Sequence, residues 1–579
     1  MGSGAKFDDL LTQLGTGKWN LLVFCSVAYW TVQVPYHSMG GAFLTPQTDH
    51  RCLPPDGALP LLLNDTNTTT VSKCSYLAKV AGGGVEVQPC TEWSFDNSTY
   101  DNSLTSEFEL VCNYKSLRPT YTSMYYIGAC VASPLNGWLS DRYGRKTMMT
   151  FAMIMYIILG NCLSWLPNIS ALLTLRFIMG LMHPTSLQSG FSLVMEVCEP
   201  RYRSTVGILV FLPWALAIMW WGGLAYLIRD WRWLMFTVTI PSFFILPPLW
   251  FIDESPRWLM VRGHHDRALQ VLEKAARWNN VQLPPRDQLL AMMEDISSEV
   301  MSCRHFQPSH AIPLPYAQST QVVHKAQISY LWMEDWHVGC RLETPTSPGI
   351  YKSCGGRRMP NVTLAYLGLF INEFTVLVRT KKMRVITLSV YSIFFTAGLV
   401  YLGLSLGGEG YSSDPFVYMA LSGVMELPGS TVTIPMINHL GRRLSNIICF
   451  TVTGVALLAL TFIPASRVWL VMILALVGKL AIAAAYQIIY LHGAELFPTE
   501  VRIRGLGTAS MVSKLGSILA PYLMDTMRSV WEPAPSLVCG LAGLMAAGVT
   551  FLLPETAGAA LPDTVAQLEA SSFSGSSQL

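Results

Sequence analysis

Two residues carry charge where the sequence around them carries almost none. Glu426 lies in Met-Glu-Leu-Pro-Gly and Lys514 in Met-Val-Ser-Lys-Leu-Gly-Ser, each within a long apolar run. An ionised side chain at membrane depth costs about 3 kcal/mol even on lenient scales, so it is kept for a partner or a ligand. One acid and one base at a common cavity can hold a molecule that bears both an ammonium and a carboxylate, through charge-assisted hydrogen bonds. The plainer arrangement is that the two residues pair with each other, and a substrate can still prise such a pair open. Aromatic rings in the apolar runs offer π faces to an ammonium: Tyr29, Trp30, Tyr125, Trp214, Trp221, Tyr391, Tyr401, Tyr486 and Tyr490. For any one of these rings taken singly, packing or a place at the membrane interface is the commoner role.

Composition says what kind of molecule holds these residues. The 579-residue chain is 51% hydrophobic and 13% charged, where soluble domains carry about a quarter charged residues. The charges gather in a few loops and leave long apolar runs, the pattern of a polytopic membrane protein. The net charge of +2 says nothing about nucleic acid, but no basic stripe with interleaved aromatics appears outside the loops, so no nucleic-acid partner is expected. No nucleophile elbow, phosphate loop or metal-ligand spacing appears, so neither an enzyme nor a cofactor is expected. Cys303, His305, His310, Cys340 and Cys354 are scattered without a Cys-x2-Cys pair, which argues against zinc. His264 and His265 are adjacent in a polar loop and are read as solvated.

Hydropathy predicts twelve helices, at about 20–44, 119–139, 147–166, 171–197, 204–227, 231–252, 384–406, 414–437, 445–464, 468–492, 505–527 and 533–553. The first is too long for a signal-peptide core and is read as retained. Arg442-Arg443 fall between helices eight and nine, where Arg145-Lys146 fall between two and three. That is an internal repeat of six spans, degenerate in that Asn438 stands in the place of Asp141. The expected fold is thus an all-α membrane protein with two pseudo-symmetric six-helix halves, 20–252 and 384–553. Residues 1–19, the linker 253–383 and the Ser-rich, disordered tail 554–579 fall in the cytoplasm. The basic clusters at 201–203, 442–443 and 502–504 lie on that side, as the positive-inside bias requires; Arg229 and Arg232, at an outer connection, are an exception. Within the linker, 266–279 has helical apolar spacing. Residues 301–372 have none and are expected to be disordered or an atypical insertion, with the Asn361 sequon unused.

The outer loop, 45–118, holds Cys52, Cys74, Cys90 and Cys112 and sequons at Asn64, Asn67 and Asn97. Four cysteines beside sequons point to an oxidising, extracellular face and two disulfides, in any of three connectivities.

The stretch Gly137-Trp-Leu-Ser-Asp-Arg-Tyr-Gly-Arg-Lys146 joins two of the predicted helices in a tight turn. It resembles the loop between the second and third helices of the major facilitator superfamily, Gly-x-Leu-x-Asp-Arg-x-Gly-Arg-Lys, at every fixed position. Glu107-Phe-Glu-Leu-Val-Cys112, Glu254-Ser-Pro-Arg-Trp258 and Tyr490-Leu-His-Gly-Ala-Glu-Leu-Phe-Pro-Thr-Glu-Val-Arg502, with the large Cys-rich loop, narrow the resemblance. They look like the organic cation, anion and zwitterion transporters, the solute carrier 22 family, over the whole chain except about 301–372. The resemblance implies a plasma-membrane, multi-pass secondary transporter of small organic ions, working by alternating access. It also implies a pocket role for Gln487. Cation-selective relatives typically carry Asp at the position of Lys514, and anion- and carnitine-type relatives a basic residue. Glu at the position of Glu426 resembles the cation and carnitine types, so one acid with one base is best matched by a zwitterion. An organic anion transporter, or a receptor-like protein that binds without transport, are the alternatives. The coupling ion, Na+ or H+, is open.

The turn charges Asp141, Arg142, Arg145 and Lys146 are expected to act away from the substrate. With Glu196, Arg203, Glu254, Arg257, Arg442, Glu495 and Arg502 they would bridge the halves on the cytoplasmic side and break as the cavity opens inward. Arg176 is assigned to helix packing or gating.

Overall fold

The computed structural model describes residues 3–55, 59–65, 68–79, 85–305, 375–464, 466–498, 501–557 and 565–570. Asn67, Asn361, His310, Cys340 and Cys354, most of 301–372 and the end of the tail lie outside the described residues. Among the described residues, six helices are long and apolar enough to cross a membrane by length and composition alone: Arg145–Leu163, Thr205–Leu227, Trp231–Phe251, Lys381–Leu406, Pro415–Leu460 and Val468–Leu496. Pro415–Leu460 counts twice, because Gly441, at φ 78°, breaks it into two spans. With Lys18–Ser38, Leu117–Tyr143, Ile169–Val197, Arg502–Tyr522 and Ala534–Thr550, twelve spans are described. They are numbered here as spans 1 to 12 in chain order.

Several boundaries differ from those expected. Span 1 ends at Ser38, and Gly41–Leu44 forms a separate turn of helix. Span 6 is not one helix: Trp231–Thr239 is α, Ile240–Ile245 is 3-10 and Leu246–Phe251 is α again. Pro241, Pro247 and Pro248 remove backbone donors and force the change. Spans 8 and 9 have no loop between them, only the kink at Gly441. Elsewhere Pro35, Pro134, Pro184 and Pro521 lie inside helices, which packed membrane helices tolerate.

The long loop after span 1 is more ordered than its polarity suggests. β1 (His50–Cys52) pairs antiparallel with β5 (Trp93–Phe95), and β2 (Leu59–Asp65), β3 (Thr68–Lys79) and β4 (Val85–Pro89) form a second antiparallel sheet in the order β2-β3-β4. The connectivity left open by the sequence is Cys52–Cys90 and Cys74–Cys112. This loop defines the disulfide end of the bundle; the Gly137–Lys146 turn defines the turn end. Arg232, a misfit by the positive-inside bias, forms an ion pair with Glu107 of the loop and donates to the Ser164 and Leu166 carbonyls. Its charge is matched locally, which removes the conflict.

At the turn end a helix forms over His265–Asn279, with Ala268, Leu269, Leu272, Ala275 and Ala276 buried. Asn279 ties it to span 1: its Oδ1 accepts from Trp19 N at 3.2 Å and its Nδ2 donates to Asn20 Oδ1 at 2.9 Å. The two halves approach closely between spans 5 and 8. A Cβ on Gly222 would lie 2.6 Å from the Phe416 carbonyl, and one on Gly423 2.6 Å from Met219 N, so only glycine allows the contact.

Candidate functional site

Glu426 is buried within span 8, and its partner is Lys479 of span 10, with Nζ 3.0 Å from Glu426 Oε1. Lys479 is fully buried, and its Nζ also lies 2.6 Å from Ser405 Oγ and 3.5 Å from the centroid of the Tyr401 ring. Tyr401 OH donates to Glu426 Oε1 at 2.5 Å and accepts from Trp214 Nε1 at 3.0 Å. Trp214 belongs to the first half and the others to the second, so this network spans both.

The pairing of Glu426 with Lys514 is therefore not what forms. Lys514, half-buried on span 11, makes no hydrogen bond or ion pair among the described residues. Its Nζ lies 5.9 Å from the centroid of the Tyr126 ring on span 2, again across the halves. Helix periodicity explains the difference. Residue type identifies a charge in a span, but the packing of spans 7, 8 and 10 decides which charges meet.

Below the pair runs a ladder of rings from the second half. Tyr401 and Tyr486 lie 5.5 Å apart, Tyr486 and Tyr490 5.6 Å, and Phe394 and Tyr490 5.0 Å, by centroids. Their hydroxyls meet span 11, Tyr486 with Ser513 at 2.8 Å and Tyr490 with Ser510 at 3.3 Å. Gln487 donates to Ser430 Oγ at 2.6 Å, and Tyr391 donates to Thr508 Oγ1 at 2.6 Å.

The remaining rings have partners inside the first half. Tyr29 donates to the Pro241 carbonyl at 2.6 Å. Trp30 packs edge-on against Tyr156, whose hydroxyl meets that of Tyr125 at 2.9 Å. Trp221 is buried between Tyr36 and Phe43. Arg176 is fully buried between the Tyr121 and Tyr125 rings, at 4.3 and 4.6 Å, and donates to the His37 carbonyl at 2.9 Å. It is a packing residue of this half rather than part of the turn-end charges.

At the disulfide end the halves are joined. Arg118 pairs with Asp525 at 2.8 Å, Gln47 donates to Glu409 at 3.2 Å and to Asp525, and the Thr120 and Tyr522 hydroxyls meet at 2.9 Å. Phe43 stacks on Phe416 with centroids 5.2 Å apart. A small cleft of about 60 Å³ remains there, lined in part by Arg118, Glu409, Asp525 and Arg528. Desolvation in this cleft pushes the Glu409 carboxyl up to about 6. His50 lies beside Cys74 and Cys112, but the two thiols are consumed in a disulfide, so the group is not a metal site.

At the turn end the expected bridging charges pair within their own halves. Arg145 binds Asp141 at 2.7 Å and Glu196 at 3.0 Å. Glu254 accepts from Lys146 N at 2.9 Å. Arg442 binds Glu495 at 2.9 Å. Arg203 pairs instead with Asp8, at 2.7 Å, Arg502 donates to the Phe497 carbonyl at 3.3 Å, and Arg257 lies 6.0 Å from the Phe7 ring. Arg142 covers Trp138, at 5.4 Å. Among the described residues, each ion pair that the turn-end charges Arg145 and Arg442 form lies within one half.

Sequence reading missed Lys479, Arg118, Asp525 and Glu555. The signal for Lys479 was present: Val-Gly-Lys-Leu-Ala inside an apolar run meets the same test that singled out Glu426 and Lys514. The others lie at helix ends, where charge is ordinary and composition gives no warning.

The sequence profile of the family described as "Sugar (and other) transporter" matches residues 89–321 and 369–565. The organic cation transporter protein of Drosophila melanogaster is 29% identical over 96% of this chain and 94% of its own length. Solute carrier family 22 member 2 of Homo sapiens is 30% identical over 83% of this chain and 74% of its own. Among solved structures, the xylose transporter XylE from E. coli, in a partially occluded inward-open conformation, aligns with a TM-score of 0.58 and 15% identity, covering 94% of this chain and 100% of that one. That likeness is one of fold. A match over most of the chain to transporters leaves one assignment: the chain belongs to the sugar (and other) transporter family of the major facilitator superfamily, in its solute carrier 22 branch.

Proposed function

We propose that this protein moves small organic ions bearing an ammonium group, zwitterions foremost, across the plasma membrane by alternating access. The observation that carries the reading is the Glu426 carboxylate, buried at membrane depth among Tyr401, Trp214 and Lys479, where both halves contribute. Glu426 offers an anchor for an ammonium, and two lysines, Lys479 beside it and Lys514, 5.9 Å from the Tyr126 ring, offer positive charge to a carboxylate. The names of the relatives support organic ions as the substrate class. The closed disulfide end and the same-half pairs at the turn end suit one limb of an alternating cycle. Residues 1–19, 253–383 and 554–579 are then cytoplasmic, and 45–118 is extracellular. Asn97, exposed on that loop, is well placed as a glycosylation acceptor.

A second reading, an organic anion transporter, is favoured by one observation. Glu426, Lys479 and Lys514 together bring one negative and two positive charges to this region. Uptake of labelled zwitterion, cation and anion panels into cells expressing the chain separates the two. Surface binding with no uptake of any of them would remove transport altogether.

A further inference from the structure

Lys479 Nζ is held as a bound organic ammonium would be held. It meets a carboxylate oxygen of Glu426 at 3.0 Å, the Ser405 hydroxyl at 2.6 Å and the face of the Tyr401 ring at 3.5 Å. A carboxylate, a hydroxyl and a π face together are what recognise a cationic nitrogen. The supports of that site are fixed in turn: Tyr401 OH bonds the same carboxylate oxygen at 2.5 Å and is itself held by Trp214 at 3.0 Å. Lys479 itself has no exposed surface.

A ligand carried on a tether competes at an effective concentration of roughly millimolar or higher. A free cation at micromolar concentration therefore loses to Lys479. Displacement has a second cost: it leaves the lysine charged and buried with no counterion, the case that penalises a broken buried pair most. A zwitterion escapes both problems. Its ammonium takes Glu426 while its carboxylate takes the released Lys479, so one ion pair becomes two and no charge is stranded. The flexible four-carbon stem of lysine allows this movement, which a guanidinium fork would resist.

We propose that Lys479 is a tethered ammonium that fills the cation subsite of this transporter, shutting out simple organic cations and admitting zwitterions by exchange of partners. The assignment rests on the reading that Glu426 lies on the substrate path.

Trimethylglycine and tetramethylammonium share a methylated nitrogen, and the first adds a carboxylate. Thermal stabilisation of the purified full chain by each ligand measures binding without requiring transport. The wild type should bind trimethylglycine more tightly than tetramethylammonium by about tenfold or more. Lys479→Met should reverse that order, gaining about tenfold for tetramethylammonium and losing about as much for trimethylglycine. The double variant Lys479→Met, Glu426→Gln should bind neither. Unchanged affinities in a folded Lys479→Met overturn the proposal. So does a Lys479→Met that fails to accumulate both with and without tetramethylammonium during expression, since the pair is then structural only. Uptake by the wild type in cells is read separately: ligand binding that depends on Lys479, without uptake, keeps this assignment and removes the transport reading.

Discussion

Glu254 and Glu555 occupy equivalent places in the two halves. Glu254 accepts from the backbone of Lys146 just after Gly144, at φ 101°; Glu555 accepts from Arg442 and Arg443 just after Gly441, at φ 78°. Each glycine turns the chain between two spans, and each carboxylate caps the helix that follows. Burial pushes the Glu555 carboxyl up, but the N–H groups of Arg442, Ala557, Arg443 and Thr556 more than offset it and hold it below its ordinary value. Arg145–Glu196 and Arg442–Glu495 complete the repeat. Replacing Gly441 with Ala forces a side chain into the left-handed region at about 1–2 kcal/mol and drives a Cβ against Glu555. Glu555→Ala removes the cap at about 1 kcal/mol. Both should lower the melting temperature of the purified protein, and Gly441→Ala in the Glu555→Ala background should cost less than the sum. Strict additivity would refute the contact.

Asp141 tests the turn end. It is exposed, pairs with Arg145 at 2.7 Å, and its carbonyl accepts from Trp258 at 2.8 Å and Arg262 at 2.7 Å. Asp141→Asn leaves the carbonyl contacts and removes only the charge. Transport should slow several-fold while substrate binding at the Glu426 region stays intact. Normal uptake at normal surface level would show that the charge does not bias the cycle.

The pair Arg118–Asp525 should hold the disulfide end shut. A charge-assisted contact of this kind is worth about 1.5 kcal/mol, so Asp525→Asn should raise access from that side roughly tenfold. Labelling of a cysteine placed at Ala42, in the cleft wall, by an impermeant thiol reagent reads this directly. No change in rate would mean that the stacked rings alone seal this end.

Glu409 in the same cleft adds a pH dependence. Its carboxyl is raised from 4.5 to about 6 in the closed end. Protonation therefore favours closure: the stabilisation is fully present below the ordinary value and is lost as pH rises through about 6. Its contact with solvent trims the size of the effect but not its direction. Labelling at the Ala42 position should fall from about pH 7.5 to about pH 5 by more in the wild type than in Glu409→Gln, which corrects for the reagent's own pH response. Equal falls in both would exclude Glu409.

Lys514→Asp should impair zwitterion uptake, and Glu426→Gln should weaken recognition of the ammonium and spare anions. Each lost contact in a dry site is worth about 2 kcal/mol, or tens of fold in apparent affinity. Lys514 has no hydrogen-bond or ion-pair partner to strand among the described residues, so its variant should reach the surface normally; Glu426→Gln leaves Lys479 buried without its counterion and should not. Selectivity unaltered in both, at measured surface level, would end the binding role.

The sequence by itself determined that the chain crosses the membrane many times, that its halves repeat, and that it resembles one transporter family. Those properties are local: a run of apolar residues, a turn with Gly144 or Gly441, a motif read in order. It also marked Glu426 as a charge out of place. Only the tertiary structure decided that Glu426 faces Lys479 and Ser405 while Lys514 faces Tyr126, because a helix presents a given residue in a direction that its neighbours, not its own sequence, turn into a contact. The same holds for the turn-end charges. Residue types identified Arg145, Glu196, Arg442 and Glu495, but whether they bridge the halves depends on which end of the bundle is closed, and here the disulfide end is.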